Sequence, residues 1–175
     1  MLSNKTKMGF SILAMLFATQ AMAYYNTGPY INIGAGGLTI VVNSTSTTGG
    51  AGRFGLGYID LLNCNENPAF IGFELNGNYG YTRRLHSIYG ADLSGVIGQQ
   101  LSQLVGIYGK LGAQAIGQDR NYILGPQIGL GLGFQVAPLW RVTLEGNYAL
   151  DAFRIHSNLV GNRNANTFTY LLGLQ

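Results

Sequence analysis

Strict alternation of apolar and polar residues, sustained over stretches of about ten residues, constrains this chain more than any other feature. In Phe70-Ile-Gly-Phe-Glu-Leu-Asn-Gly-Asn-Tyr-Gly-Tyr81, one set holds Ile71, Phe73, Leu75, Tyr79 and Tyr81. The other holds Gly72, Glu74, Asn76, Asn78 and Gly80. Successive side chains point to opposite sides only in an extended strand, so this segment reads as a strand with two unlike faces.

The same period recurs between clusters of Gly, Asn, Ser, Thr and Pro, and no helical periodicity persists after Tyr24. Strands are expected at Pro29 to Ile40, Gly52 to Asp60, Ala69 to Tyr81, Ser87 to Ile97, Leu104 to Ile116, Gly125 to Val136, Trp140 to Leu150 and Asn164 to Gln175. Most are longer than ordinary sheet strands and close to the roughly 9–11 residues that cross a bilayer when tilted. The connections fall alternately on two rims. Asn43 to Ala51, Thr82 to His86, Gly117 to Leu124 and Asp151 to Arg163 are expected as external loops. Leu61 to Pro68, Gly98 to Gln103 and Ala137 to Leu139 are expected as turns on the opposite side. No domain boundary interrupts the pattern.

Alternation alone does not say whether the apolar face meets a core or lipid, since soluble and membrane barrels alternate equally well. The polar face decides. Gly90, Asp92 and Ser94 oppose Tyr89, Ala91 and Leu93; Tyr108, Lys110, Gly112 and Gln114 oppose Ile107, Leu111, Ala113 and Ala115. Likewise Arg141, Thr143, Glu145 and Asn147 oppose Val142, Leu144 and Tyr148. A solvated face would be dotted with charge, yet charged residues are only 10% of this chain, against roughly 25% in soluble domains. Glu74, Asp92, Lys110, Arg141 and Glu145 carry both signs among small residues and amides, as mutual neutralisation inside a narrow lumen requires. Glu74 is expected to pair with Lys110 or Arg141 in a network shared with Glu145. On the apolar face, Tyr30, Tyr58, Tyr79, Tyr81, Tyr89, Trp140, Tyr148, Phe168 and Tyr170 gather near strand ends, as interfacial girdles do.

The beginning of the chain agrees with this address. Lys5 and Lys7 precede an apolar run from Gly9 to Ala18, and Ala21-Met22-Ala23 offers a small-x-small cleavage site. Residues 1–23 read as a Sec signal peptide that is removed, leaving residues 24–175 as one barrel domain. Without Lys5 and Lys7 the balance of charge is nearly even, so net charge gives no support to nucleic-acid binding. Cys64 is the single cysteine, which excludes an intrachain disulfide and, lying far from the cleavage site, argues against a lipoprotein.

Taken together, the chain resembles the small outer-membrane β-barrel family that includes the membrane domain of outer-membrane protein A. The signal peptide carries the resemblance, together with four strand motifs. These are Gly-Pro-Tyr-Ile-Asn-Ile-Gly-Ala-Gly from Gly28, Gly-Phe-Glu-Leu-Asn-Gly-Asn-Tyr from Gly72, Ile-Tyr-Gly-Lys-Leu-Gly from Ile107 and Trp-Arg-Val-Thr-Leu-Glu-Gly-Asn-Tyr from Trp140. The resemblance implies an all-β, eight-stranded antiparallel up-and-down transmembrane barrel in the outer membrane, placed there by the barrel-assembly machinery. It also implies a barrel without the peptidoglycan-binding domain that larger members append. One departure is the final Thr169-Tyr-Leu-Leu-Gly-Leu-Gln175, since such barrels usually end on an aromatic residue.

Other chemistry finds little footing. Gly129-x-Gly131-x-Gly133 repeats at strand period and opens no helix, so it is not a phosphate cradle. With His86, His156 and Cys64 as the only imidazoles and thiol, no metal-ligand spacing appears, and no cofactor is expected. His86-Ser87 and His156-Ser157 are neighbours that a strand would turn to opposite faces, against a shared catalytic site. The external loops hold Arg83, Arg84, Arg120, Arg154 and Arg163 against Asp119 and Asp151, a basic rim suited to the phosphates of lipopolysaccharide. The expected role is therefore structural, in the integrity of the envelope and without enzymatic activity. External loops would be free for adhesion to a host or surface ligand, or for lipopolysaccharide contact. A narrow porin-like channel and a lipid A-modifying enzyme stand as alternatives.

Overall fold

The structure, a computed structural model, describes residues 27–42, 45–62, 67–83, 86–118, 121–150, 153–155 and 165–175. Only the backbone is described at 42, 118, 121, 123, 153–155 and 165. Nine antiparallel segments are present: β1 (Gly28–Val42), β2 (Thr45–Leu61), β3 (Ala69–Thr82), β4 (His86–Gln100), β5 (Val105–Gln118), β6 (Asn121–Ala137), β7 (Trp140–Ala149), β8 (Phe153–Ile155) and β9 (Ala165–Leu174). Each segment from β1 to β6 pairs with the next in sequence, β7 pairs with β9, and β9 returns to β1. The ring is closed without an edge. β8 pairs only with Tyr122 to Leu124 of β6, directly beyond the β6–β7 ladder, so it continues the seventh stave outward. The architecture is thus the eight-stranded up-and-down barrel that the family resemblance implies.

The pairing extends past the expected strand ends. Val42 faces Thr45 and Gln118 faces Asn121, so the expected external loops at 43–51 and 117–124 are largely strand. The physical reason lies in composition: Thr45, Thr47 and Thr48 are β-branched, and a polar hairpin of such residues keeps its ladder without an apolar face. On the opposite rim the turns fall as expected, with 62–68 the longest. A register shift between Gln135 and Ala137 lets β6 pass into the tight turn before Trp140.

Polarity is inverted relative to a soluble domain. Buried residues include Glu74, Asn76, Asp92, Ser94, Lys110 and Glu145, whereas Leu111 is 69% and Leu130 71% exposed. On β3 the exposed side chains from Ile71 to Tyr81 span about 25 Å at the tilt usual for such strands, the height of an outer-membrane hydrocarbon band. No helix among the described residues is long and apolar enough to span a bilayer. Tyr58, Tyr79, Tyr81, Tyr89, Trp140, Tyr148, Phe168 and Tyr170 are exposed on the outer wall as expected. Tyr30 is the correction. It shares the inward parity of Asn32 on β1, and its hydroxyl donates to Glu74 Oε1 inside the lumen at 2.5 Å.

Candidate functional site

Inward parity on β2, β3, β4, β5 and β7 builds one layer of polar side chains at mid-height. Lys110 on β5 is 5% exposed, and its ammonium forms ion pairs with Glu74 on β3 and Glu145 on β7. Arg53 on β2 pairs with Glu145 from the other side, through Nη1 and Oε1. A continuous chain of alternating charge, Glu74–Lys110–Glu145–Arg53, therefore crosses the lumen.

The remaining lone pairs of the carboxylates are taken by neutral donors. Tyr108 Oη donates to Glu145 Oε2 at 3.1 Å, and Asn147 Nδ2 donates to Glu145 Oε1 at 2.6 Å. Asp92 accepts from Asn76 Nδ2 at 2.8 Å and from Asn78 Nδ2 at 2.6 Å. Arg53 Nε donates to Asn78 Oδ1 at 3.2 Å, which ties Asp92 to the chain through an amide. Burying charge costs several kcal/mol per ion unless pairing and hydrogen bonds offset it, and this density of partners is the offset.

The expected network is thus largely assembled. Glu74 pairs with Lys110 and shares it with Glu145, while Asp92 joins through Asn76 and Asn78. Arg141 reaches Glu74 indirectly: its Nη1 donates to Gln175 Oε1 at 3.0 Å, and Gln175 Nε2 donates to Glu74 Oε1 at 3.3 Å. Arg53 was not among the expected members, although the signal was present: Arg53 alternates with Phe54, Leu56 and Tyr58, which places it inward.

Two apolar layers close the charged one. Toward the turn rim, Ile59, Phe70, Val96 and Tyr108 form a buried cluster with Tyr30 and Leu61 packed against it. Toward the loop rim, Leu38, Ile40 and Ile88 form a second cluster with Ala51 and Ile116. The inner layer depends on glycine. A Cβ at Gly57 would overlap the Tyr30 ring, one at Gly98 the Phe70 ring and one at Gly131 the Tyr108 ring, so each ring lies flat over a neighbouring stave. Among the described residues the lumen thus holds a charged layer between two apolar clusters.

At the loop rim, Arg83 is exposed beside the end of β3. Arg84, Arg120 and Arg163 lie outside the described residues, and Arg154 is described only as backbone of β8. His86 has a φ of 55°, in the left-handed region, and its ring meets Tyr81 edge-on. The Ser87 hydroxyl lies 3.1 Å from that of Tyr79. His156, Ser157 and Cys64 lie outside the described residues, as do residues 1–23. Among the described residues, no group of three or more His, Cys, Asp or Glu is placed to hold a metal.

No protein-family model and no curated protein matches this sequence. Solved structures do. The outer membrane enzyme PagL is 11% identical over 81% of this chain and 97% of its own, with a TM-score of 0.50. Neisserial surface protein A is 16% identical over 85% of this chain and 96% of its own, at 0.48. Ail, the attachment invasion locus protein of Yersinia pestis, is 18% identical over 85% and 97%, at 0.48. Identities this low concern the fold alone, and the fold shared with PagL is the small closed β-barrel.

Proposed function

We propose that this protein is an outer-membrane barrel with a structural role in the cell envelope, exported on residues 1–23 and closed to the passage of solutes. The observation that supports this reading is the storeyed lumen, in which every member of the Glu74–Lys110–Glu145–Arg53 chain is paired internally and apolar clusters lie on both sides. A conducting pore needs a continuous wet path, and a filled eight-stranded lumen leaves none. The likeness to the membrane domain of outer-membrane protein A, carried by the four strand motifs, belongs to the same reading, as does delivery by the barrel-assembly machinery. Fractionation with the outer membrane, heat-modifiable gel mobility and silence in planar bilayers are expected. Recovery as a soluble periplasmic protein, or stepwise single-channel conductance, would overturn it.

A second reading, surface contact, is favoured by the exposed Arg83 at the loop rim. Together with Arg84, Arg120, Arg154 and Arg163 it offers guanidinium groups to lipopolysaccharide phosphates. Replacing all five with glutamine is expected to weaken lipopolysaccharide binding, and unchanged affinity removes the idea. Both readings are non-catalytic. Acyl hydrolysis or transfer by the purified barrel, abolished by His156→Ala, would replace both with an enzyme.

A further inference from the structure

The two apolar clusters inside the barrel do not cover the charged layer equally. On the loop side the cover comes from both halves of the ring: Leu38 and Ile40 of β1, Ile88 of β4, Ala149 of β7 and Thr167 of β9 are all buried there. On the turn side every member, from Tyr30 through Ile59, Phe70, Val96 and Tyr108, belongs to β1–β5. Among the described residues, β7 and β9 contribute none. Between the charged layer and the turn rim, their inward positions hold Thr143, Arg141 and Gly173, followed by Gln175 just past β9. That sector of the lumen is polar from the rim up to Glu145.

It is also the less tightly filled sector. Arg141, Gln175, Gly173 and, on adjoining β1, Gly34 are only partly buried, and the two glycines place no side chain in it. Thr143 is 8% exposed, whereas Ser94, in the opposite half of the ring, is 1% exposed. The side chain of an inward residue is reached only from within the barrel. The 5% of surface left to the side chains of Arg53 and Glu145, against 2% for Lys110 and Glu74, therefore marks internal space beside them. Space bordered by hydroxyl, amide and charged groups holds water, and that water offsets part of the cost of burying the charges. We propose that the lumen contains a blind, water-holding cleft, entered at the turn rim beside β7, β9 and β1, and ending at Arg53 and Glu145 short of Leu38 and Ile40. The inference rests on the outer-membrane reading above and adds a sidedness to it: water reaches the charged layer from the turn side alone.

The test uses water itself as the probe, on the protein reconstituted in phosphatidylethanolamine–phosphatidylglycerol vesicles. In water-edited solid-state NMR, polarisation passes from mobile water to nearby carbons, and its build-up is read residue by residue. The carbons of Thr143 and Arg53 should build up several-fold faster than those of Ser94, Leu38 and Thr167. If Thr143 and Arg53 are as slow as Ser94, the sector is dry and the inference falls, while the closed barrel stands. If Arg53 is fast but Thr143 slow, the water is sealed in rather than entering from the turn rim, which overturns the cleft as well. If Leu38 and Thr167 match Thr143, water runs through the whole lumen, and the blind cleft and the closed barrel fall together. If Leu111 on the outer wall is as fast as Thr143, water surrounds the barrel, and the outer-membrane reading falls and takes the inference with it.

Discussion

Lys110 of β5 and Glu145 of β7 form an ion pair across the lumen although the two strands are not neighbours in the barrel wall. The same ammonium also holds Glu74 of β3, so one cation ties three staves together from within. Lys110→Met should therefore cost on the order of 3–5 kcal/mol, because it leaves two buried carboxylates short of a partner. Urea titration in lipid vesicles, followed by Trp140 fluorescence, measures the loss. Adding Glu74→Gln to Lys110→Met should recover part of it, since one of the stranded charges is then gone. A single variant as stable as the parent would show that the network contributes nothing.

Tyr30→Phe isolates one hydrogen bond from its packing. The ring stays over Gly57, and only the hydroxyl donated to Glu74 is lost. A loss of roughly 1.5–3 kcal/mol is expected in the same titration, the range for a hydrogen bond to a charged acceptor. Tyr58→Phe, on the lipid-facing wall, should cost less.

The two faces of β5 respond differently to the same added methyl. At Gly112 a Cβ would overlap the backbone of Leu93 and Ser94, which has no freedom to retreat within the ladder. At Gly109 the nearest atom is 3.9 Å away. Gly112→Ala should therefore destabilise by about 1–3 kcal/mol, and Gly109→Ala by much less. Equal effects at the two sites would contradict the packing described for β4 and β5.

Leu111→Arg tests what lies outside the barrel. At mid-band an arginine facing lipid costs about 2–4 kcal/mol, falling to about 0–1 near the interface. Leu111→Arg should fall in the first range and Tyr81→Arg in the second, by folding equilibria in vesicles. A neutral Leu111→Arg would indicate water around the barrel wall.

Period-two alternation determined a great deal here, namely that the chain is strands and which residues share a face; the sparse, mixed-sign charge of Glu74, Asp92, Lys110 and Glu145 marked theirs as the enclosed one. These are legible because side-chain direction in a strand is a local property, set by parity within a few residues. Parity also pointed Arg53 and Tyr30 inward, although charge and girdle patterns drew attention elsewhere. Low charge told lipid from water, because a solvated exterior would have carried more. What parity does not carry is height and distance around the ring. That Lys110 meets both Glu74 and Glu145, that Arg141 reaches Glu74 through Gln175, and that Ile59, Phe70 and Val96 meet beneath the charged layer depend on register. Register is set by the accumulated offset of eight paired strands, and closure then brings together residues far apart in sequence. Only the tertiary structure decides those contacts, because each strand's own sequence is compatible with several offsets, and the closed ring selects one.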